Sequence, residues 1–158
     1  MKKAGQVIIS VFVLFTLFVI GSKAVERYRQ SGTEIPQTQV TDDKRHYILV
    51  TYFHGNVRCE SCRKLENYTK TMLAGAFQQE LESGLVEFRS INVDKPENEK
   101  YIDKYGLTTK QVIVSELDNG VEKRWKDLDR IWSLLDDEEG FKMYEEMEIR
   151  SWLNEVKK

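Results

Sequence analysis

Tyr47-Ile48-Leu49-Val50-Thr51-Tyr52-Phe53-His54-Gly55-Asn56-Val57-Arg58-Cys59-Glu60-Ser61-Cys62-Arg63 is the stretch that decides the fold. Its first seven residues are apolar, β-branched or aromatic, as in a buried strand. His54-Gly55-Asn56 breaks the run. A helical period starts at the two cysteines, so the pair stands at a strand, loop, helix junction, where a Cys-x-x-Cys becomes a redox centre. Cys59 and Cys62 are the only cysteines in the chain. They are placed to form one local disulfide or to be one dithiol.

Toward the C-terminus, Leu65, Tyr68, Met72, Leu73, Ala76, Phe77 and Leu81 recur at spacings of three and four. This predicts one amphipathic helix over 60–82, stopped by Ser83-Gly84. Val86 to Asn92 reads as a strand. Asp94 to Asn98 turns the chain into a short helix, Glu99 to Tyr105, closed by Gly106 at a left-handed position. Gln111 to Leu117 is a β-branched run, Asp118-Asn119-Gly120 is a strong hairpin signal, and Val121 to Leu128 is the antiparallel partner strand. Leu128 to Leu135 forms an irregular or short helical link. Phe141 to Val156 is the last helix, with Phe141, Tyr144, Ile149, Trp152 and Leu153 near one face, and the acidic run Asp136 to Glu139 suits its start. Trp125, Trp132 and Trp152 read mainly as core, with Trp132 the one kept as a surface contact.

Toward the N-terminus, Ser31 to Lys44 is polar and without apolar period, a flexible linker over 30–44. Before it, Met1-Lys2-Lys3 leads into an uncharged stretch of about 18 residues, Ala4 to Gly21, followed by Lys23, Arg27 and Arg29. Residues 1–29 are therefore expected to be a membrane anchor or a signal segment. Charge on both flanks favours an uncleaved anchor over a cleaved signal and a secreted product, and the short basic N-terminus favours an extracytoplasmic domain. The domain itself is placed at 45–158. With 158 residues, 41% apolar composition and a formal charge of −2, there is room for one core plus an appendage. No basic patch for nucleic acid is present.

The order β-α-β-α-β-β-α with a dithiol at the first strand-to-helix junction resembles the thioredoxin-like superfamily. Phe53 to Cys62, Asn92-Val93-Asp94 and Tyr105-Gly106-Leu107 carry the resemblance. Tyr52 to Cys59 together with Leu128-Asp129-Arg130-Ile131-Trp132 look more narrowly like a membrane-tethered bacterial subfamily, the ArsF family or nitrophenyl compound nitroreductase subunit. The resemblance implies an α/β, three-layer domain, here with an N-terminal hydrophobic helix. Two departures stand out. Val57-Arg58 and Glu60-Ser61 replace the usual residues before and between the cysteines, and the dipeptide between them helps set the potential. No proline precedes the third strand, so Thr109, Lys110 or Gln111 stands where the superfamily has a cis-proline. A non-proline cis bond costs about 2.5–4 kcal/mol, so a trans peptide and an altered groove are expected.

A cysteine in the first turn of a helix meets unsatisfied N–H groups and the positive end of the macrodipole, both favouring thiolate. Cys59 is thus the attacking sulfur, and Cys62, one turn on, resolves the mixed disulfide. Arg58, Glu60, Ser61, Thr109, Lys110 and Gln111 are candidates for the substrate groove, and His54 for a proton carrier against its commoner reading as a histidine satisfied by backbone. Arg58 and Arg63 favour thiolate while Glu60 opposes it, so the net sign is open. A four-ligand zinc site within one chain is not expected, because His54 and His46 are the only histidines and His46 falls a strand-length away, whereas a dimer sharing two cysteine pairs stays open.

The first reading is a membrane-tethered thiol-disulfide oxidoreductase outside the cytoplasm. It needs no cofactor beyond a redox-active Cys59–Cys62 disulfide, and it works with a protein dithiol or disulfide client and a separate electron donor or acceptor. The alternative is a redox-inert binding module or accessory subunit holding a soft metal or metalloid ion on Cys59 and Cys62. No flavin or dinucleotide fingerprint accompanies the nitroreductase label.

Overall fold

A computed structural model describes residues 46–157. The expected anchor or signal segment (1–29) and linker (30–44) lie outside the described residues. Among the described residues, no helix is long and apolar enough to cross a membrane.

The elements are β1 (His46–His54), α1 (Glu60–Ala76), α2 (Gln78–Ser83), β2 (Val86–Asn92), α3 (Lys100–Tyr105), β3 (Gln111–Asp118), β4 (Val121–Asp127) and α4 (Glu138–Val156). Short 3-10 turns occupy Pro96–Asn98 and Asp129–Trp132. The sheet runs β2-β1-β3-β4. β1 is parallel to β2, with Val50 opposite Phe88, and antiparallel to β3, with Val50 opposite Val114. β3 and β4 are antiparallel. A parallel pair needs a crossover, and α1 with α2 supplies it.

Alternation along β1 explains why the strand is apolar throughout. Ile48, Val50 and Tyr52 face α1 and α4, packing with Leu65, Met72, Leu73, Phe141, Ile149 and Leu153. Phe53 faces the other way and packs with Ile113, Tyr105 and Leu107 beside α3. Helices on both faces of a mixed four-stranded sheet in this order make the thioredoxin-like α/β fold that the sequence resembles.

The 60–82 helix is in fact two. Phe77 leaves helical geometry (φ −129°, ψ 27°), which turns its ring fully into the core. Arg150 covers the break, its guanidinium 4.7 Å from the Phe77 ring centre and donating to the Ala76 carbonyl at 3.0 Å. The apolar spacing continues across the break because Leu81 packs on the same cluster as Leu73. The last helix starts earlier than its first apolar residue, because the Asp137 side chain caps it by accepting from Gly140 N at 2.9 Å. The hairpin turn has positive φ at both Asn119 (52°) and Gly120 (75°), as a two-residue turn matched to strand twist requires. Trp152 is core, whereas Trp125 is 42% exposed on the edge strand, its ring edge-on to Tyr105. Trp132 is half-buried.

One carboxyl sits inside the core. Glu145 on α4 is fully buried. Its Oε1 lies 2.8 Å from Thr69 Oγ1 on α1, which is also 3.0 Å from the Leu65 carbonyl. Its Oε2 has no hydrogen-bond partner.

Candidate active site

β1 carries the chain across the core, and the loop after His54 delivers Cys59 as the N-cap of α1 (φ −70°, ψ 171°). Cys59 Sγ accepts a hydrogen bond from Cys62 N at 3.2 Å, the role an N-cap oxygen usually fills. Arg63 N donates to the Cys59 carbonyl at 3.1 Å, closing the first helical turn. The two sulfurs form a disulfide, with 5.0 Å between the Cα atoms. Cys59 is exposed and Cys62 is 0% exposed. A thiolate arriving from solvent therefore meets Cys59, and Cys62 is the leaving group behind it.

The buried cysteine is held from the strand. The Tyr52 hydroxyl donates to the Cys62 carbonyl at 2.7 Å. Burial pushes the Tyr52 phenol up to about 12, with Arg58 pulling the other way, so it remains a neutral donor. A buried tyrosine needs a partner for its hydroxyl, which is the signal in sequence that Tyr52 does more than pack.

The loop itself is fastened to the end of β2. Asp94 accepts from Asn56 N at 2.6 Å, Asn92 donates to Asn56 Oδ1 at 2.8 Å, and Val93 N donates to the His54 carbonyl at 2.8 Å. Gly55 permits this: a Cβ there would stand 2.7 Å from Asp94 Oδ2. Gly55→Ala must displace the carboxylate from Asn56 N, so Gly55→Ala and Asp94→Ala will each destabilise by about 1 kcal/mol. Both remove the same bond, so in urea denaturation the double variant will cost less than the sum of the two.

His54 ends β1, its ring stacked on Tyr52 at 5.7 Å. Its Nδ1 lies 2.9 Å from the Gly55 carbonyl, which can only accept, so Nδ1 carries the hydrogen. Burial lowers its pKa below the usual histidine value. The Gly55 carbonyl and Asp94 oppose that shift, while Arg58 and Lys110 add to it. At neutral pH the ring is uncharged and Nε2 presents a bare lone pair.

Arg58 is half-buried and turned inward, over the Tyr52 ring at 5.8 Å and ion-paired with Glu66. Glu60 is exposed, 3.9 Å from Lys64, and Ser61 is half-buried. Thr109 is exposed and Lys110 half-buried. The Lys110 carbonyl accepts from Trp132 Nε1 at 2.9 Å, which ties the segment before β3 to the link after β4. All described peptide bonds are trans. Gln111 lies beneath this rim rather than on it: it is buried and pairs with Phe53, its Oε1 accepts from Thr108 N at 3.2 Å, and its amide donates to Asp127. The structure thus brings Cys59, Cys62, Arg58 and His54 to one end of the sheet, with Lys110 close enough to act on His54, and sets Gln111 inside.

Among the described residues, no group of three or more His, Cys, Asp or Glu side chains is placed to hold a metal ion. His46 stands at the opposite end of β1, its Nε2 2.7 Å from Glu116. Two bonded sulfurs have no thiolate to offer, so only the reduced pair has soft ligands.

No family model matches the chain, and no curated protein matches it. Among solved structures the chain is similar to the oxidised thioredoxin O2 of Arabidopsis thaliana, with 18% identity and a TM-score of 0.34 over 57% of this chain and 73% of that one. It is similar also to Trypanosoma brucei brucei thioredoxin, with 16% identity and a TM-score of 0.36 over 78% and 86%. Fasciola hepatica thioredoxin gives 19% and 0.32 over 62% and 85%. At TM-scores below 0.5 these likenesses add nothing to the chain's own strand order and register, which define the fold. Fold and site together are a thioredoxin-like fold that carries a Cys-x-x-Cys disulfide at a helix N-terminus.

Proposed function

We propose that the chain is a thiol-disulfide oxidoreductase that works through Cys59 and Cys62. The observation that carries this is the asymmetry of the pair: Cys59 is exposed and caps a helix, Cys62 is buried one turn behind it, and the two are bonded. In the reductive direction the Cys59 thiolate attacks a client disulfide and forms a mixed disulfide. Cys62 then attacks Cys59 Sγ, releases the reduced client and restores the internal bond. Two electrons pass to the client, and a separate dithiol donor returns the pair to the reduced state. The oxidative direction is the same sequence reversed.

The clients in this reading are protein disulfides or dithiols. Thr109, Lys110, Glu60 and Ser61 border the approach, and the neutral His54 ring with its bare Nε2 is a proton acceptor at the same end of the sheet. The apolar stretch at 4–21 supports a membrane tether, and the short basic N-terminus before it supports a domain outside the cytoplasm. Kinship with the ArsF family rests on Tyr52 to Cys59 and Leu128 to Trp132.

Equilibration against glutathione tests the proposal. The protein is expected to pass reversibly between disulfide and dithiol in a single two-electron transition. If the bond does not exchange on the timescale of hours, or if the reduced pair binds arsenite or copper(I) without exchanging, the oxidoreductase reading fails and a binding module replaces it.

A further inference from the structure

The residue before Cys59 does not reach into solvent. The Arg58 guanidinium lies over the Tyr52 ring, whose hydroxyl holds the Cys62 carbonyl, and pairs with the Glu66 carboxylate. The other Glu66 oxygen lies 3.0 Å from Lys70 Nζ. Cys62, Glu66 and Lys70 are four apart along α1, so they form one stripe running back from the dithiol. Two cations share one carboxylate here, and all three side chains are more than two-thirds shielded from water. The Arg58 Nε is buried without an acceptor. The field of Arg58 reaches its surroundings: it opposes the larger upward effect of burial at Tyr52, and adds to the larger downward effect of burial at His54 and Lys70.

The cluster therefore carries a net charge of about +1 behind the sulfurs, in surroundings where solvent screening is weaker than at the surface. Resting on the oxidoreductase reading, we infer that Glu66 sets the redox poise of the dithiol by half-neutralising the Arg58–Lys70 pair. The disulfide is uncharged, so the cluster acts on the reduced state. Two glutathione thiols give two electrons to the protein. The Cys59–Cys62 bond breaks, a glutathione disulfide forms, one proton stays on Cys62 and the other goes to water because Cys59 remains a thiolate. Positive charge on the residue that precedes Cys59 in the chain stabilises the reduced protein and lowers the Cys59 pKa.

The sign of each substitution follows. Glu66→Gln keeps size but can accept from only one of the two cations, and it leaves the cluster with one more positive charge, so Cys59 becomes more acidic and the protein a stronger oxidant. Arg58→Gln removes a positive charge and drives both quantities the other way. Arg58→Lys keeps the charge and stays near the wild type. Glu66 acts through the charge of its neighbours and is a positioning residue, without contact to the client.

The experiment uses full-length protein in wild-type, Glu66→Gln, Arg58→Gln and Arg58→Lys forms. The Cys59 pKa is read from the pH dependence of alkylation, and the equilibrium constant from glutathione titration. Glu66→Gln is expected to lower the pKa by about half to one unit and to favour the dithiol about three- to tenfold, a tenfold change being about 30 mV. Arg58→Gln is expected to shift both in the opposite direction. Loosened packing would move both variants the same way, so shifts of equal sign overturn the inference, as does a pKa in Glu66→Gln equal to that of wild type. If the wild type fails to exchange with glutathione at all, the oxidoreductase reading falls, and the pKa shifts alone still decide whether Glu66 governs Cys59.

Discussion

Cys62→Ser will accumulate as a mixed disulfide through Cys59, and Cys59→Ser will fall to background in any exchange assay. The difference follows from burial. In Cys62→Ser the exposed Cys59 keeps its place at the helix N-terminus and can attack, but the serine oxygen cannot displace the bound client. In Cys59→Ser the remaining thiol has no solvent-exposed surface and no cap position to acidify it. Reduced protein incubated with an oxidised client, quenched by acid and separated without reductant, should show the covalent complex for Cys62→Ser alone. Equal trapping by both variants would mean that the two sulfurs are interchangeable, against the geometry.

Raising the pH will cost the protein stability through Glu145. Thr69 has a single hydroxyl hydrogen and two oxygens within reach, the Leu65 carbonyl at 3.0 Å and Glu145 Oε1 at 2.8 Å. The carbonyl can only accept, so both contacts are satisfied when Glu145 is protonated and donates to Thr69 Oγ1. Burial pushes its pKa up to about 8 from an ordinary 4.5, against the pull of a Thr69 hydroxyl turned to donate to the ionised carboxylate. The folded state thus holds a proton that the unfolded chain has lost. Stability from this group is intact below about 4.5, declines as the pH rises and levels off above about 8. At 1.36 kcal/mol per unit the total is on the order of a few kcal/mol. Glu145→Gln keeps a donor for Thr69 and cannot ionise, so its urea midpoint should exceed that of wild type above about pH 8 and lose most of the pH slope below it. A wild-type slope retained in Glu145→Gln would assign the titration elsewhere.

Most of the fold was legible because its signals are local. The run Tyr47 to Phe53 read as a buried strand from its β-branched and aromatic content, and Asn119-Gly120 supplied both positive φ angles that the hairpin turn uses. The break at Phe77 was hidden because the apolar spacing is the same on both sides of it. The cysteines declared their positions through the helix that starts at them, but what surrounds them did not. Arg58 reads as a flanking charge in sequence, and its pairing with Glu66, eight residues on, depends on the side chain folding back over Tyr52. Gln111 occupies a groove position by register, yet the presence of Asp127 on the neighbouring strand draws its amide inward. Glu145 looks like one more acidic residue in a charged helix. Only the packing of α4 on α1 places it against Thr69.

The most direct test is the pH dependence of alkylation at each cysteine in the fully reduced protein, resolved by mass spectrometry. Cys59 should react first, with a midpoint below the ordinary thiol value of about 8.5, while Cys62 stays unmodified until the protein unfolds. Equal modification of the two thiols, or a Cys59 midpoint at or above that value, would contradict an exposed sulfur acidified by the start of α1.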